Sequence, residues 1–344
     1  MKRIKRDLYF DYLYNRFLKS AQLRISSGCA DNCQFCDIPH KEGEEVKFLS
    51  SVQIKKRLKD LWEEGYRHID FNDDNFLLYG EEMKKILKEL VEKGYGFTFS
   101  FNAPVKRLIH NQKLLTPLKH LGLRAVTLQL INSNQKVLER YGLDLSPSKQ
   151  EYAIQILQAL QIQIELDYIL FDPMTSIDYL KNDYQFLEEN KLLGIAPFTD
   201  VLTTHLDLAD NYPLSQKYRD SNLYLPSQNT IQPYQIFEPQ VEEVFYWMLL
   251  FEKEYGQRWY QSNHQLQEIR IKLAKEKPNW KVTNMGQELM HITFNLRLIP
   301  YLLFKIFLSA PGRKISEKAW KSQCEKRLTS IEDSFWKYRK CHKL

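Results

Sequence analysis

The chain has 344 residues, with 49 Lys and Arg against 43 Asp and Glu, so its formal net charge is +6 at pH 7. Hydrophobic residues make up 43% of it, which suffices for one large domain with an extension, or for two domains. Five cysteines are too few, and odd in number, for a disulfide framework. The 12 glycines include no G-x-G-x-x-G, which excludes that nucleotide-binding loop.

Six β-rich segments alternate with helical patterns over the first 208 residues. We predict strands at 22–27, 68–72, 97–101, 125–130, 162–171 and 200–206, with helices at 51–65, 81–93, 106–120, 133–141, 147–160 and 175–190. This alternation predicts βαβ units and a parallel sheet, hence an α/β fold. Six repeats are too few for a closed eight-stranded barrel.

The chain changes character after residue 208. Residues 209–240 contain four prolines among Asn, Ser, Gln and Tyr, which predicts an irregular linker or a cover over an active site. Helices are predicted at 240–256, 262–276, 284–308 and 314–339. We therefore divide the chain into an N-terminal helical segment (1–20), a core (21–208), the linker (209–240) and a mostly helical region (241–344).

The C-terminal region is basic and rich in tryptophan. From residue 257 onward, 18 Lys and Arg oppose 7 Asp and Glu. This charge indicates either solvated helix faces or a surface for an acidic partner, a peptide or a nucleic acid. The tryptophans are interpreted as core anchors, with base-stacking platforms as the alternative. They are Trp247, Trp259, Trp280, Trp320 and Trp336.

Neither end of the chain predicts membrane association. The basic segment 1–6 is not followed by the apolar core of a signal peptide. The apolar run 292–310 contains Arg297, Pro300 and Lys305, which favours a buried or amphipathic helix over a membrane span. We therefore expect a cytoplasmic protein.

One run of the sequence carries specific chemistry, a C-x3-C-x2-C motif with an aromatic residue before its last cysteine. Its members are Cys29, Cys33, Phe35 and Cys36. Three clustered thiolates can hold an iron–sulfur cluster and leave one iron free for a substrate or cofactor. Thiolates also select zinc, and His40 would complete a Cys3His zinc site as the alternative. Cys324 and Cys341 are predicted to be ordinary thiols.

The motif resembles that of the radical S-adenosylmethionine (SAM) superfamily, C-x3-C-x-aromatic-C. The resemblance implies that Cys29, Cys33 and Cys36 hold a catalytic [4Fe-4S] cluster, whose fourth iron is chelated by SAM, and that Phe35 lies near the adenine. One electron passed to the sulfonium of SAM would release methionine and a 5′-deoxyadenosyl radical, which removes a hydrogen atom from a C–H bond. It also implies a partial (β/α)6 radical SAM barrel with the site at the carboxyl ends of the strands.

Polar residues after the second and third strands are further cofactor-binding candidates. The resemblance implies that the position of Asp73 and Asp74 binds the amino group of SAM, which many family members achieve with a Gly-Gly-Glu segment. A carboxylate suits an ammonium group, although one of the two could instead cap a helix. Ser100 and Asn102 end the third strand, where they could contact SAM or substrate.

The fourth strand departs from the pattern of the family. Ile131 occupies the position of a glutamate that contacts SAM in many members, so Gln129 or Asn132 is the expected substitute. After the fifth strand, Asp172 precedes Pro173 and is interpreted as a helix-entry residue, with a substrate contact as the alternative.

Several subfamilies are disfavoured by what the sequence lacks. About 21 residues precede the first strand, so we expect no cobalamin-binding domain. Cys324 and Cys341 alone cannot hold an auxiliary cluster. The additional cluster and β-domain of the methylthiotransferases are also not expected.

Of three possible functions, we predict the first and keep the other two as alternatives. The first is post-translational modification of a ribosomally made precursor peptide by epimerisation, cross-linking or excision of tyramine, as in the spliceases. Its partners would be that peptide, a small leader-binding protein and a flavodoxin- or ferredoxin-type electron donor. The alternatives are small-molecule biosynthesis and RNA modification, although we do not expect a nucleic acid partner.

Overall fold

The structure is a computed structural model that describes residues 19–31, 33–36, 38–195, 197–208, 212–224, 232–276, 279–309 and 315–342. Most of the predicted N-terminal segment and parts of the predicted linker lie outside these residues. The chain forms two compact units. The first comprises Met1–Tyr168 with Asp207–Lys217, and the second Ile169–Leu206 with Tyr218–Leu344.

The first unit is built on a five-stranded parallel sheet with the order β1-β4-β5-β6-β7. Its strands are β1 (Ser20–Gln22), β4 (His68–Phe71), β5 (Thr98–Pro104), β6 (Leu123–Ile131) and β7 (Gln163–Tyr168). Two short antiparallel strands, β2 (Ser26–Ser27) and β3 (Lys47–Phe48), lie between β1 and β4 along the chain.

Helices follow the strands of the sheet. In the first unit they are α1 (Ile38–Glu42), α2 (Ser51–Glu63), α3 (Gly80–Glu92), α4 (Val105–His110), α5 (Gln112–His120), α6 (Gln135–Arg140) and α7 (Pro147–Ala159). The remaining helices are α8 (Ile177–Glu189), α9 (Pro213–Asp220), α10 (Pro239–Glu276), α11 (Asn284–Ser309) and α12 (Glu317–His342). The predicted α/β fold with a helical C-terminal region is thus confirmed.

The two faces of the sheet differ in chemistry because side chains alternate along each strand. One face is apolar and buried, with residues such as Ile69, Phe71, Phe99, Phe101, Val126, Leu128, Ile164 and Leu166. The opposite face is polar, with residues such as Asp70, Ser100, Asn102, Thr127, Gln129, Glu165 and Asp167. Such a division is unusual for a parallel sheet, whose strands are normally apolar on both faces.

Four predicted elements are divided or joined differently in the structure. The predicted strand 22–27 is split between β1 and β2, because the amides of Ile25 and Ser26 bond to a carboxylate rather than to the five-stranded sheet. The predicted helix 106–120 is interrupted at Asn111, whose side-chain amide donates to the carbonyl of Arg107. The predicted helices 240–256 and 262–276 form one continuous helix, α10.

The predicted sixth strand does not form within the described residues. Phe198–Asp200 is a 3₁₀ helix, and the Thr204 hydroxyl donates to the carbonyl of Val201 at 2.7 Å, so the segment turns instead of extending. Only His205 pairs, in a single parallel bridge with Phe171.

Aromatic residues form much of the core of the second unit. Trp247, Trp259, Trp280 and Trp320 are buried there, as core anchors should be, whereas Trp336 is 59% exposed. Helices α10 and α12 are also joined by polar contacts. Arg258 on α10 donates to Glu332 through Nε and Nη2, at 2.8 and 2.7 Å, and to Glu325 through Nη1 at 2.6 Å.

Among the helices that the structure describes, α11 alone is long and apolar enough by composition to cross a membrane, and 61% of its apolar stretch is buried within the protein. Its Arg297 is buried, with Nη1 donating to the carbonyl of Ile195 at 3.1 Å and Nε to Asn263 at 3.2 Å. Burial and these bonds fit the predicted core helix. The cytoplasmic location remains a prediction.

A glycine between α5 and β6 allows adjacent strands to approach. Gly122 has φ +121°, and a Cβ there would lie 2.1 Å from the carbonyl oxygen of Phe97. Gly94 also has positive φ, at +86°, but a Cβ there would meet nothing within 4 Å.

We expect Gly94→Ala to cost about 1 kcal/mol in free energy of unfolding, from backbone strain alone. We expect Gly122→Ala to cost roughly 3 kcal/mol or more, because β5 must also move.

Denaturant unfolding of the two glycine variants, followed by circular dichroism, tests this difference. Equal losses of stability would show that the contact with Phe97 does not constrain the sheet.

Candidate active site

The cysteine loop starts after β2 at a glycine that no other residue could replace without strain. Gly28 has φ +77°, and a Cβ there would lie 2.2 Å from the carbonyl oxygen of Glu45. Its carbonyl accepts a hydrogen bond from the side-chain amide of Asn75 at 2.9 Å. The chain therefore enters the cysteine motif in a fixed direction.

Asp73, in the loop after β4, holds the entry to the cysteine loop from the other side. Its Oδ2 accepts from the backbone amides of Ile25 and Ser26, at 2.9 and 2.6 Å. Its Oδ1 accepts from the Ser26 hydroxyl at 2.7 Å and from the amide of Asn75 at 2.9 Å. An ionised carboxylate has about four acceptor positions, so these donors use all of them.

This arrangement changes the role that the sequence suggested for Asp73. The side chain is buried, at 2% exposed, and its acceptors are taken by protein donors rather than open to the amino group of SAM. It therefore positions the cysteine loop. The turn that carries it is fixed by aromatic packing, since Phe76 stacks on Phe101 with ring centroids 4.4 Å apart and also contacts Phe71.

Backbone contacts dock the cysteine loop on the first unit. The amide of Cys29 donates to the carbonyl of Gly43 at 3.1 Å, and the amide of Cys36 donates to the carbonyl of Cys33 at 3.2 Å. The amide of Gln34 donates to the carbonyl of Tyr141 at 3.2 Å. Phe35 packs on the Tyr141 ring, with centroids 5.5 Å apart, so the predicted adenine neighbour lies against the end of α6.

The three thiols are close enough to influence one another. Burial raises the pKa of the Cys33 thiol to about 12, and negative charge on Asp31, Cys36 and Cys29 acts in the same direction. The Arg107 guanidinium acts against this rise in the pKa. A free thiol of this kind stays protonated, so binding iron would release its proton.

The donor set of the cysteine loop fits an iron–sulfur cluster. Within the described residues, no three His, Cys, Asp or Glu side chains converge on a point that could hold one ion. A [4Fe-4S] cluster makes a different demand, because each of its thiolate ligands binds a different iron. Three half-buried thiols on one short loop, with soft sulfur donors, are compatible with that demand.

Two further carboxyl groups lie at the carboxyl ends of the strands. Asp74 is half-buried and follows β4, and Asp167 lies on the polar face of β7, opposite Gln129 of β6. Burial raises the pKa of Asp167 to about 6, and the negative charge of Asp74 adds to the effect. Asp74 thus remains the predicted partner for an ammonium group, and sequence reasoning missed Asp167.

Ser100 and Asn102 lie side by side on the polar face of β5. The buried Ser100 hydroxyl donates to the Asp70 carboxylate of β4, which also contacts Nε2 of His68 at 3.1 Å. The Asn102 amide donates to the side-chain carbonyl of Asn72 at 3.0 Å. Ser100 therefore pairs with β4 and Asn102 with the residue that follows β4, and Asn102 is the more accessible of the two.

The end of β6 has an irregular backbone at the position where the family pattern is broken. Ile131 has φ +65°, a left-handed conformation that is strained for a β-branched residue, and the strand register shifts between Gln129 and Ile131. The buried Asn132 uses its side-chain oxygen to accept from the amide of Asn134 at 2.9 Å. Gln150 of α7 donates to the carbonyl of Asn132 at 2.8 Å. Asn132 thus closes a turn, and Gln129 is the half-buried side chain on the polar face.

Sequence reasoning also missed two residues that join the loops. Asn75 donates to the Ser26 hydroxyl and to the carbonyl of Gly28, both at 2.9 Å. Arg107 donates to Asn75 Oδ1 at 2.6 Å and forms an ion pair with Asp31 at 2.6 Å. An arginine on the first turns of a helix gives no sequence signal for such a role.

The comparisons with known proteins agree with this geometry. The family model described as the radical SAM superfamily matches residues 23–187, which include the cysteine loop and strands β4 to β7. The chain belongs to the radical SAM superfamily. Its cofactors are the two that the motif predicted, a [4Fe-4S] cluster and SAM.

Two curated relatives match this chain over only part of their own length. It is 31% identical over 135 residues to the uncharacterized methyltransferase sll1242 of Synechocystis sp., covering 38% of this chain and 25% of that protein. It is 27% identical over 220 residues to 4′-phospho-dehydrooxetanocin synthase of Priestia megaterium, covering 57% and 28%. The chain thus spans about a quarter of the length of these curated relatives.

Two further similarities concern a tRNA-modifying enzyme and a solved structure. The enzyme is 33% identical over 69 residues to tRNA-2-methylthio-N(6)-dimethylallyladenosine synthase of Flavobacterium johnsoniae, covering 19% of this chain and 14% of that protein. The apo structure of OxsB, a cobalamin-dependent SAM radical enzyme, matches with a TM-score of 0.63 and 16% identity, covering 92% of this chain and 55% of OxsB. At this identity the match shows the fold, and its coverage extends into the C-terminal helices.

The contacts of Asp73 lead to a test with a matched neighbour. We expect Asp73→Asn to cost about 3 kcal/mol of stability, because its amide group would face backbone donors that need an acceptor. Faster hydrogen exchange at residues 25–28 and reduced iron content after reconstitution should accompany this loss. Asp74→Asn is the control, and we expect it to leave the stability, the hydrogen exchange and the iron content unchanged. Equal behaviour of the two variants would contradict the positioning role.

The raised pKa of Asp167 predicts a pH-dependent stability. Because the folded-state pKa lies above the ordinary value of 3.8, the native protein holds an extra proton between these pH values. The stabilisation is complete below the unfolded pKa and is lost as the pH rises through about 6. Asp167→Asn should therefore raise the free energy of unfolding by about 2 kcal/mol at neutral pH and have little effect below about pH 4.

Urea unfolding of the wild type and the Asp167→Asn variant at the two pH values measures this effect. Asp144→Asn is the control with the opposite sign, because Lys106, then Lys149, lower the pKa of that exposed carboxyl group. A stability difference for Asp167→Asn that does not change with pH would contradict the assignment.

Proposed function

We propose that this chain is a radical SAM enzyme of small-molecule biosynthesis, whose substrate lies over the polar face of the sheet. The observation that carries the proposal is the position of the three-cysteine loop at the carboxyl edge of the sheet, where it contacts the loop after β4. Asp73, from the loop after β4, bonds directly to the strand that precedes the cysteine motif. Sites in βα barrels lie at this carboxyl edge.

In such an enzyme, separate residues of the site would bind the cluster and SAM. When bound, the [4Fe-4S] cluster and SAM supply a 5′-deoxyadenosyl radical that removes a hydrogen atom from the substrate. Cys29, Cys33 and Cys36 would hold the cluster and leave one iron without a protein ligand. Asp74 would accept hydrogen bonds from the amino group of SAM, and Phe35 would pack near its adenine.

The polar face supports a small polar substrate. Asn102, Gln129 and Asp167 reach the carboxyl ends of their strands with partly accessible side chains. Convergent amides and a carboxyl group can orient a small molecule by hydrogen bonds while the apolar face of the sheet supports them from behind. The similarity to 4′-phospho-dehydrooxetanocin synthase over 57% of the chain favours the same class of substrate.

The peptide substrate predicted from the sequence receives no such support. The three relatives described above are named as an uncharacterized methyltransferase, a phospho-dehydrooxetanocin synthase and a tRNA-modifying synthase. The precursor peptide and its leader-binding partner therefore remain predictions, as does the flavodoxin- or ferredoxin-type electron donor. The short tRNA-enzyme match keeps RNA modification as an outcome of the test.

Deuterium transfer can identify the substrate class before the substrate itself is identified. Cells of the source organism would be grown in deuterated medium and their extract divided into low-molecular-mass metabolites, peptides and RNA. The reconstituted, reduced enzyme would be given each fraction with unlabelled SAM. We expect deuterium in 5′-deoxyadenosine, measured by mass spectrometry, only with the metabolite fraction. Transfer from the peptide or RNA fraction alone would contradict the proposal.

Cysteine variants test the cluster itself. We expect Cys33→Ala to lose its iron, its absorbance near 400 nm and its release of 5′-deoxyadenosine after anaerobic reconstitution, because two thiolates cannot retain the cluster. Cys341→Ala is the matched control, since this exposed thiol lies outside the motif. Full iron content in the Cys33→Ala variant would refute the ligand assignment.

A further inference from the structure

Arg107 makes a set of contacts that the proposed function does not explain. It lies on α4, after β5, and is only 8% exposed. Its Nη1 donates to the backbone carbonyl of Asp74 at 2.9 Å and to Asn75 Oδ1 at 2.6 Å. Both acceptors belong to the loop after β4.

The other end of the guanidinium reaches the cysteine loop. Nη2 lies 2.6 Å from the Asp31 carboxylate and 4.0 Å from Sγ of Cys29, to which it donates. One side chain thus joins α4, the loop after β4 and the cysteine loop. The planar fork of arginine suits such a role, whereas the single ammonium group of lysine does not.

We propose that Arg107 is a positioning residue that also raises the reduction potential of the cluster. The inference rests on the assignment of Cys29 as a cluster ligand. Reduction adds one negative charge to the cluster, and a guanidinium beside a ligand sulfur stabilises that charge. Net charge and hydrogen bonds to the sulfurs are among the factors that set cluster potentials, and burial strengthens the effect because the local dielectric constant is lower than in water.

Asp31 opposes this effect and provides a second way to test it. Its carboxylate is 45% exposed and carries the opposite charge within the same loop. The potential should therefore depend on the balance between Arg107 and Asp31. A purely structural role for Arg107 would change how much cluster is retained but would not make the potential follow the charge.

Four variants separate charge from position. Arg107→Met removes the charge, Arg107→Lys keeps it without the fork, Asp31→Asn removes the opposing charge, and the double variant removes both. Arg57→Met is the matched control, since it removes an equal charge from an exposed position on α2. Iron per chain and the midpoint potential, from a redox titration followed by electron paramagnetic resonance, are the two measurements.

We expect Arg107→Met to shift the potential to more negative values, Asp31→Asn to shift it to more positive values, and the double variant to lie between them. Arg107→Lys should stay near the wild-type potential but retain less iron. Arg57→Met should match the wild type in both measurements.

If Arg107→Met loses the cluster altogether, the shift in Asp31→Asn still decides the case. Unchanged potentials in the variants that hold iron, or shifts opposite to these, would overturn the inference and leave the proposed function intact. Failure of the wild type to bind iron would instead refute the proposed function as well.

Discussion

The carboxylate of Asp73 is the constraint on which the rest of the site depends. It accepts hydrogen bonds from the amides of Ile25 and Ser26, which therefore do not bond to the five-stranded sheet, and it fixes the direction in which the chain enters the cysteine motif. Leaving a buried carboxylate or a backbone amide without a partner is costly, so this contact excludes other positions of the loop. The aromatic packing of Phe76 in turn holds Asp73 in place. Packing of the apolar core thus determines the position of the cysteine loop.

The two faces of the sheet differ in chemistry, whereas most parallel sheets are apolar on both faces. Its apolar face packs into the core, while its polar face carries Asp70, Ser100 and Asp167. Polar groups of this kind are retained where they bond to one another or face a ligand. The Ser100–Asp70 pair belongs to the first kind. Asp167, with its raised pKa near the carboxyl edge, is the stronger candidate for the second.

Much of this organisation could be predicted from the sequence because it follows from local patterns. Alternating strands and helices predicted the parallel sheet, and the spacing of Cys29, Cys33 and Cys36 predicted the family. The prediction of a sixth strand was wrong, because a hydrogen bond from Thr204 to Val201 turns the chain where β-rich composition suggested extension. The roles of Asp73 and Arg107 could not be predicted, since both depend on contacts across more than 30 residues that no spacing encodes.

The central claim is that three protein thiolates leave one iron of the cluster open to SAM. Electron–nuclear double resonance of the reduced, reconstituted enzyme, with SAM labelled by ¹⁵N in its amino group and ¹⁷O in its carboxylate, tests this claim most directly. The account predicts that both labels couple to the cluster in the wild type. A reduced cluster that shows no coupling to either label, or an enzyme that takes up no iron, would contradict it.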